Sequence, residues 1–256
     1  MNAQRRESIV RAFSSARDYE NHATVQQKVA QGLALRIALL DFPVSPRILE
    51  IGCGTGFLTQ AMGRMTGEKR LVTDLSSIML ERCRRRLGDH PGWRFAPLDG
   101  EYGTPDGDKP FDLICSSMTM QWFDNLSIAV SKMIDWLAPG GWLAFTTLTT
   151  NTFGEWRAAH DAENVRPGTP PFCQIEDLVA IEPGLQALPH RFDRYVESFP
   201  SARDFLLSLK AIGATTASQE HRPLPPSIMR RVMRRFEDNG CCSTYEVATC
   251  LYRKPA

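Results

Sequence analysis

Glu50, Gly52, Gly54, Gly56, Asp74 and Asp99 have the residue types and spacing to hold a nucleotide-like ligand. Residues 47–59 read RILEIGCGTGFLT. The short apolar run Ile48-Leu49-Glu50-Ile51 predicts a buried parallel strand. The three glycines that follow allow a tight turn that brings main chain close to a ligand. A helix is expected from about Phe57, presenting free N–H groups to that ligand. An ordinary strand–turn–helix corner without a ligand uses the same residues. Leu71-Val72-Thr73-Asp74 reads as the next strand, its acid 24 residues after Glu50. In doubly wound folds an acid at the end of the second strand, ~20 residues on, binds ribose hydroxyls. Asp74 fits that role, and it also fits the N-cap of a helix over Leu75 to Leu80. Asp99, after Trp93-Arg94-Phe95-Ala96-Pro97-Leu98, is placed to meet an exocyclic amine of adenine, although Asp-Gly is also a common turn.

The dinucleotide pattern G-x-G-x-x-G requires glycine at 52, 54 and 57, and position 57 is Phe. With the third glycine at 56 and Glu50 two residues before the first, the stretch resembles motif I of the class I S-adenosylmethionine methyltransferases. Chemistry agrees. That cofactor has no pyrophosphate to bind, and its sulfonium and ammonium tolerate a nearby carboxylate. The same reading adds the neighbours Leu75, Gly100 and Ser117 to the cofactor-binding set. Phe111 to Ser117 reads as a fourth strand, with Met118-Thr119-Met120-Gln121-Trp122 on its carboxyl side, where open α/β sheets bind ligands. Leu137-Ala138-Pro139-Gly140-Gly141 reads as a turn before a fifth strand, Trp142 to Leu148. The expected fold is α/β, doubly wound and Rossmann-like. The resemblance implies a mostly parallel seven-stranded sheet with an antiparallel C-terminal strand.

The chain is expected to form one methyltransferase domain over 1–256. Residues 5–40 should be a helical cap able to fold over the site, with Phe13, Tyr19, Val25, Val29, Leu33, Ile37 and Leu40 at helix-like spacings. Residues 47–148 form the cofactor core. Residues 149–188, rich in Pro, Gly and polar types, read as an irregular acceptor-side insertion. Residues 189–253 supply the C-terminal strands and helices, with helices over Ser201 to Ile212 and Pro226 to Asp238 and a strand over Thr244 to Tyr252. A net charge of +1 gives no global field for nucleic acid. No apolar run of ~18 residues spans a membrane, and the charged start lacks a signal-peptide core. Seven cysteines without C-x-x-C or a Cys/His ligand pattern point to free thiols in a reducing cytoplasm and to no metal.

Further stretches narrow the resemblance. Val10-Arg11-x-Phe13, Tyr19, Gln26, Ser117-x-x-x-Gln121-Trp122, Phe145-Thr146-Thr147-Leu148, Glu155-Trp156 and Ser208-Leu209-Lys210-Ala211-Ile212-Gly213-Ala214-Thr215 are similar to the malonyl-acyl-carrier-protein O-methyltransferases of biotin synthesis. The similarity runs from about residue 8 to residue 253. Family members often carry His and Asn after the Arg-Pro of the insertion, and here that stretch is Arg166-Pro167-Gly168-Thr169-Pro170-Pro171-Phe172. The resemblance implies methyl transfer from S-adenosylmethionine to the free carboxylate of a malonyl thioester, leaving S-adenosylhomocysteine. Another small carboxylic acid or small acceptor is the runner-up.

A carboxylate with a pKa near ~4 is already ionised at neutral pH. No general base is therefore expected, and His22, His90, His160, His190 and His221 read as surface residues. Tyr19, Gln26 and Trp122 are candidates for the acceptor pocket, although Tyr19 fits core packing equally well. Arg157, Arg203 and Lys210 are candidates for the cation that meets the acceptor carboxylate, and the sequence does not choose among them. An acidic carrier protein needs a local basic surface. Arg82-Cys83-Arg84-Arg85-Arg86 and the i,i+4 pairs Arg230/Arg234 and Arg231/Arg235 offer one, the second stretch being preferred, though either run also suits a solvated face. A nicotinamide oxidoreductase and a non-catalytic S-adenosylmethionine-binding protein are the alternatives from other classes. Phe57 argues against the first.

Overall fold

A computed structural model describes residues 3–63, 68–107, 109–181, 185–217 and 221–256. Residues 182–184 of the expected insertion lie outside it. In chain order the elements are α1 (Ala3–Ser15), α2 (Tyr19–His22), α3 (Thr24–Ile37), β1 (Arg47–Ile51), α4 (Phe57–Met62), β2 (Lys69–Asp74), α5 (Ser77–Leu87), β3 (Trp93–Pro97) and β4 (Phe111–Ser116). A 3₁₀ turn, Met120–Trp122, precedes α6 (Leu126–Trp136), β5 (Leu137–Leu148), α7 (Gly154–Asp161) and α8 (Ile175–Val179). The chain ends with β6 (Gln186–Ala187), β7 (Arg191–Ser198), α9 (Ala202–Ala211), α10 (Pro226–Asp238) and β8 (Cys242–Arg253).

The sheet runs β3-β2-β1-β4-β5-β8-β6, with β7 pairing β8 off that path. β1, β2, β3, β4 and β5 are joined by parallel pairings, whereas β8 runs antiparallel to β6. The α/β, doubly wound, mostly parallel sheet is thus the one expected, with β7 as an eighth strand. β1, β2 and β4 are largely buried, as strands inside a parallel sheet are, whereas the edge strand β3 is only partly covered.

Two compact units divide the chain. The sheet unit comprises residues 24–147, 174–192 and 248–256, and the second unit residues 1–23, 148–173 and 193–247. In the sheet unit Val25, Val29, Leu33 and Ile37 are buried at four-residue spacing. Leu33 and Ile37 of that stripe place the carboxyl half of α3 in a core with Ile48, Leu58, Leu113, Ala144 and Leu251. In the second unit Phe153, Trp156, Phe205, Phe236 and Tyr245 form a chain of aromatic contacts at 4.8–5.7 Å between ring centroids.

Two local expectations are corrected. The L-x-P-G-G stretch does not precede β5 but bulges within it. Phe111 pairs Leu137 and Leu113 pairs Trp142, so residues 138–141 loop out opposite Asp112. The insertion also contains α7 and α8. Pro167, Gly168, Pro170 and Pro171 lie between the two helices, and Glu155, at the start of α7, bonds both the main-chain N–H and the hydroxyl of Thr244. None of the seven cysteines is in a disulfide, and Cys83, Cys115 and Cys250 are completely buried. No helix among the described residues is long and apolar enough to cross a membrane.

Candidate functional site

The site grows from the carboxyl end of β1. Gly52 has φ +69, and a Cβ there would fall 2.3 Å from the Thr119 side chain. Gly56, with φ +92, caps α4, and a Cβ on it would lie 2.8 Å from Cys83 Sγ. Both positions therefore require glycine on backbone and on space. The Gly54 N–H donates to Asp74 Oδ2 at 2.8 Å, and the Ser76 N–H donates to Oδ1 at 2.7 Å. Asp74 thus ties the glycine loop to the start of the segment after β2. Ser76, not Asp74, is the N-cap of α5, its Oγ accepting from the Met79 N–H. Desolvation pushes the Asp74 carboxyl up to about 6, against the lowering effect of the N–H groups of Ser76, Gly54 and Leu75. A carboxylate has about four acceptor positions, so these N–H groups leave capacity for a hydroxyl donor.

Glu50 lies buried beneath the loop and accepts the Thr59 hydroxyl at 2.7 Å. Burial raises its pKa, opposed chiefly by the charge of Arg70. Arg70 is the residue that sequence reasoning missed. Its fully buried guanidinium pairs with Glu68 at 2.8 Å, donates to the carbonyls of Thr59 and Gly63, and sits 4.7 Å over the Trp93 ring. Nothing in Lys69-Arg70-Leu71 distinguishes it from an arginine at a solvent-facing strand end.

The loop after β4 completes the crevice. Thr119 Oγ1 donates to the Gly52 carbonyl at 3.1 Å, a direct latch between the two loops. Met118 adopts φ +53, held by its N–H on Thr146 Oγ1 at 3.0 Å. Ser117 lies beside it. After β3, Asp99 Oδ1 accepts the N–H groups of Glu101 and Tyr102, the turn geometry that the sequence allowed. A Cβ on Gly100 would fall 2.3 Å from Ile51 at the end of β1. The structure therefore gathers Glu50, Gly52, Gly54, Gly56, Asp74, Leu75, Asp99, Gly100 and Ser117 in one unit, at the carboxyl ends of β1 to β4.

The acceptor candidates divide between the units. Gln26, on α3, and Trp122, in the 3₁₀ turn, belong to the sheet unit and are half-buried. Tyr19, Arg203 and Lys210 belong to the second unit, where α2 packs on α9 and both cations are exposed. Arg157 is committed to the Thr152 carbonyl. The expectation of five surface histidines fails at His160, which is buried against Trp156 with Nδ1 2.8 Å from the Trp156 carbonyl oxygen. Among the described residues no cluster of three or more His, Cys, Asp or Glu is placed to hold a metal.

The arginines separate by partner. Arg84 and Arg85 form exposed pairs with Asp89 and Glu81, and Arg86 lies 4.7 Å over the Phe57 ring. On α10, Arg231 and Arg235 both bind Glu163, at 2.6 and 3.2 Å, and hold its carboxyl below the ordinary range. Arg230 and Arg234 are exposed, without an ion-pair or hydrogen-bond partner among the described residues.

Comparison with known proteins gives the family. A methyltransferase domain model matches residues 48–141, inside the sheet unit. The malonyl-[acyl-carrier protein] O-methyltransferase of Magnetococcus marinus is 38% identical over 94% of this chain and 90% of its own length. The chain belongs to the malonyl-[acyl-carrier protein] O-methyltransferase family. Another member, from Priestia megaterium, is 30% identical over 88% of this chain and 86% of that protein. The biotin biosynthesis bifunctional protein BioCD of Bordetella avium is 43% identical over 97% of this chain, which spans about half (52%) of that relative's length. Solved structures agree on the fold. The N-methyltransferase NodS of Bradyrhizobium japonicum, in complex with S-adenosyl-L-homocysteine, matches with a TM-score of 0.57 at 17% identity, covering 98% of this chain and 99% of NodS. A methyltransferase from Bacillus halodurans gives 0.62 at 14%, covering 88% and 99%.

Proposed function

We propose that the protein transfers the methyl group of S-adenosylmethionine to the free carboxylate of a malonyl group carried on acyl carrier protein, forming the methyl ester. One observation carries this reading. The general methyltransferase match stops at residue 141, whereas the similarity to the O-methyltransferases covers 94% of the chain and so extends into the second unit. The likeness therefore reaches beyond the cofactor loop, which supports a common acceptor.

When bound, S-adenosylmethionine supplies a methyl group on a sulfonium leaving group. The chain's own residues fit it. Asp74 retains acceptor capacity for ribose hydroxyls, and the cradle at Gly52 and Gly56 leaves no room for a Cβ. Asp99, Gly100, Leu75 and Ser117 are assigned to the remaining edge. Glu50 is assigned support of the loop through Thr59. The acceptor carboxylate is ionised at neutral pH, so its oxygen attacks without a base. The protein's task is to align that oxygen and to exclude water around it. Tyr19, Gln26 and Trp122 are assigned to the walls, with Arg203 or Lys210 as the cation. Arg230 and Arg234, not held by Glu163, are the assigned docking pair for an acidic carrier. The absence of disulfides supports work in the cytoplasm.

Mass spectrometry of malonyl-acyl carrier protein after incubation with S-adenosylmethionine tests the proposal. The expected result is one added methyl group on the malonyl moiety. No addition, with methylation of a free small carboxylic acid under the same conditions, would replace the carrier-bound substrate by the runner-up.

A further inference from the structure

Two motif stretches remain outside the site described above, Val10-Arg11-x-Phe13 and the segment around Gly213. They meet in the second unit. Gly213 has φ +72, and a Cβ on it would lie 3.0–3.1 Å from main-chain atoms of Ala12 and Phe13. The turn after α9 therefore presses directly on α1. Beside this contact, α1 and residues 215–217 wall an open groove of about 680 Å³.

The lining has a definite chemistry. Arg5, Ser8, Arg11 and Ser15 come from α1, where residues three and four apart share a face. Thr215 and Thr216 form the opposite wall. Among the described residues no lining residue is acidic. Ser8, Arg11 and Thr215 are exposed and Thr216 is half-buried, and neither Arg11 nor the hydroxyls of Ser8, Thr215 and Thr216 have a partner among the described residues. Ser15 donates to the Ala12 carbonyl at 2.9 Å. A concave surface with two guanidinium groups, unspent hydroxyls and no carboxylate favours an anion attached to a hydrogen-bonding chain. S-adenosylmethionine bears no phosphate, so the cofactor does not account for it. The volume falls in the range of small-molecule sites, ~300–1,000 Å³. The acidic surface of a folded carrier would instead meet exposed cations outside a groove, such as Arg230 and Arg234.

We propose that this groove binds the phosphodiester and adjoining amide chain of the phosphopantetheine arm that carries the malonyl thioester. Arg11 is the principal phosphate ligand, with Arg5 adding positive charge and Ser8, Thr215 and Thr216 available to the chain. The assignment rests on the reading of the acceptor as carrier-bound.

The experiment compares 4′-phosphopantetheine with pantetheine by isothermal titration calorimetry at low salt. In parallel, malonyl-4′-phosphopantetheine and malonyl-pantetheine are assayed as methyl acceptors. An exposed guanidinium–phosphate pair should make the phosphorylated probe bind roughly 5- to 10-fold tighter. Arg11→Gln should reduce that preference to within about twofold, and Arg11→Lys should retain part of it, because a point charge survives without the bidentate fork. Thr216→Val tests the opposite wall and should weaken both probes alike. Equal affinity of the wild-type protein for the two probes overturns the proposal, as does a preference that Arg11→Gln leaves intact. Methylation of both malonyl compounds with no phosphate preference would remove the groove assignment and keep the reaction. An Arg11-dependent phosphate preference with neither compound methylated would do the reverse.

Discussion

The loop after β1 and the segment after β5 both leave a buried strand, and they hold their shapes in opposite ways. Residues 52–56 are held through their own main-chain atoms. Gly54 bonds Asp74, Gly52 accepts from Thr119, and the Cys53 N–H meets the Thr73 carbonyl at 2.8 Å. Residues 149–153 are held by side chains. The Thr149 hydroxyl, the Asn151 amide and Arg194 converge on the buried carboxylate of Glu246. The Thr152 hydroxyl bonds the main chain of Glu246, and Phe153 sits at φ +59 among Phe172, Phe205 and Tyr245. A loop gripped by its own main-chain atoms tolerates no added atom, whatever side chains its partners carry. A side-chain-held loop depends on one partner far along the chain.

The contrast breaks most sharply at Gly52. Gly52→Val should cost roughly 3 kcal/mol or more, from the positive φ and the clash with Thr119, and should abolish measurable cofactor binding in a thermal-shift titration. Near-native affinity would mean that the loop yields more readily than its bonds suggest. Next in size is Glu246→Ala, expected to lower stability by about 1–3 kcal/mol because it leaves the buried Thr149 hydroxyl without its acceptor and frees Asn151 and Arg194. Denaturant unfolding measures this, and cofactor affinity should stay close to wild type if the two loops are independent. An equal loss of cofactor binding would abolish the distinction.

Asp74 sharpens the comparison, since it serves the main-chain-held loop with a titratable group. Asp74→Ala should weaken S-adenosylmethionine binding by about 1.5–3 kcal/mol, the range for hydrogen bonds to a charged group. With its pKa raised from 3.8 to about 6, the group's contribution to the stability of the cofactor-free protein is full below about pH 4 and is lost as pH rises through about 6. Cofactor affinity should move the other way and fall as pH drops through about 6, because ribose hydroxyls donate to the ionised carboxylate. Calorimetry between pH 5 and 8 reads both trends, and Asp74→Asn should flatten them. Single-turnover methyl transfer with cofactor saturating should stay level between pH 6 and 8, and a steep rise there would point to a general base and a different acceptor.

The smallest effect concerns the second unit's surface. Reversing Arg230 and Arg234 together should raise the KM for malonyl-acyl carrier protein several-fold and blunt its dependence on salt, since steering is screened over ~8–10 Å. Activity on malonyl-coenzyme A should change much less. Equal losses on the two substrates would show that α10 serves the fold instead.

The same contrast explains what was legible in the sequence. Gly52, Gly54, Gly56 and Asp74 announce their geometry locally, because backbone conformation and strand ends leave marks in residue type and spacing. α9 and α10 were legible for a similar reason, Ser201 capping one and Pro226 opening the other. Glu246 was not, because its partners stand 52 to 97 residues away and an isolated glutamate in a strand carries no mark of burial. Arg70 was hidden likewise. The helix α7 was obscured by the prolines that follow it, and His160 turned inward on a helix whose aromatic neighbours alone fix its environment. The separation of Arg231 and Arg235 from Arg230 and Arg234 required knowing where Glu163 lies.

The burial of the thiols has an experimental use. Cys83 lies under the glycine loop, while Cys115 and Cys250 are sealed in strands of the sheet unit. Burial raises the Cys115 thiol well above its ordinary pKa, so in the closed protein it is both shielded and protonated. A thiol-reactive dye can therefore modify these positions only when the surrounding structure opens, and the native chain carries its own clocks for local unfolding. Read by mass spectrometry with and without S-adenosylmethionine, the lag at Cys83 relative to Cys250 would time the breathing of the cofactor loop without an engineered label.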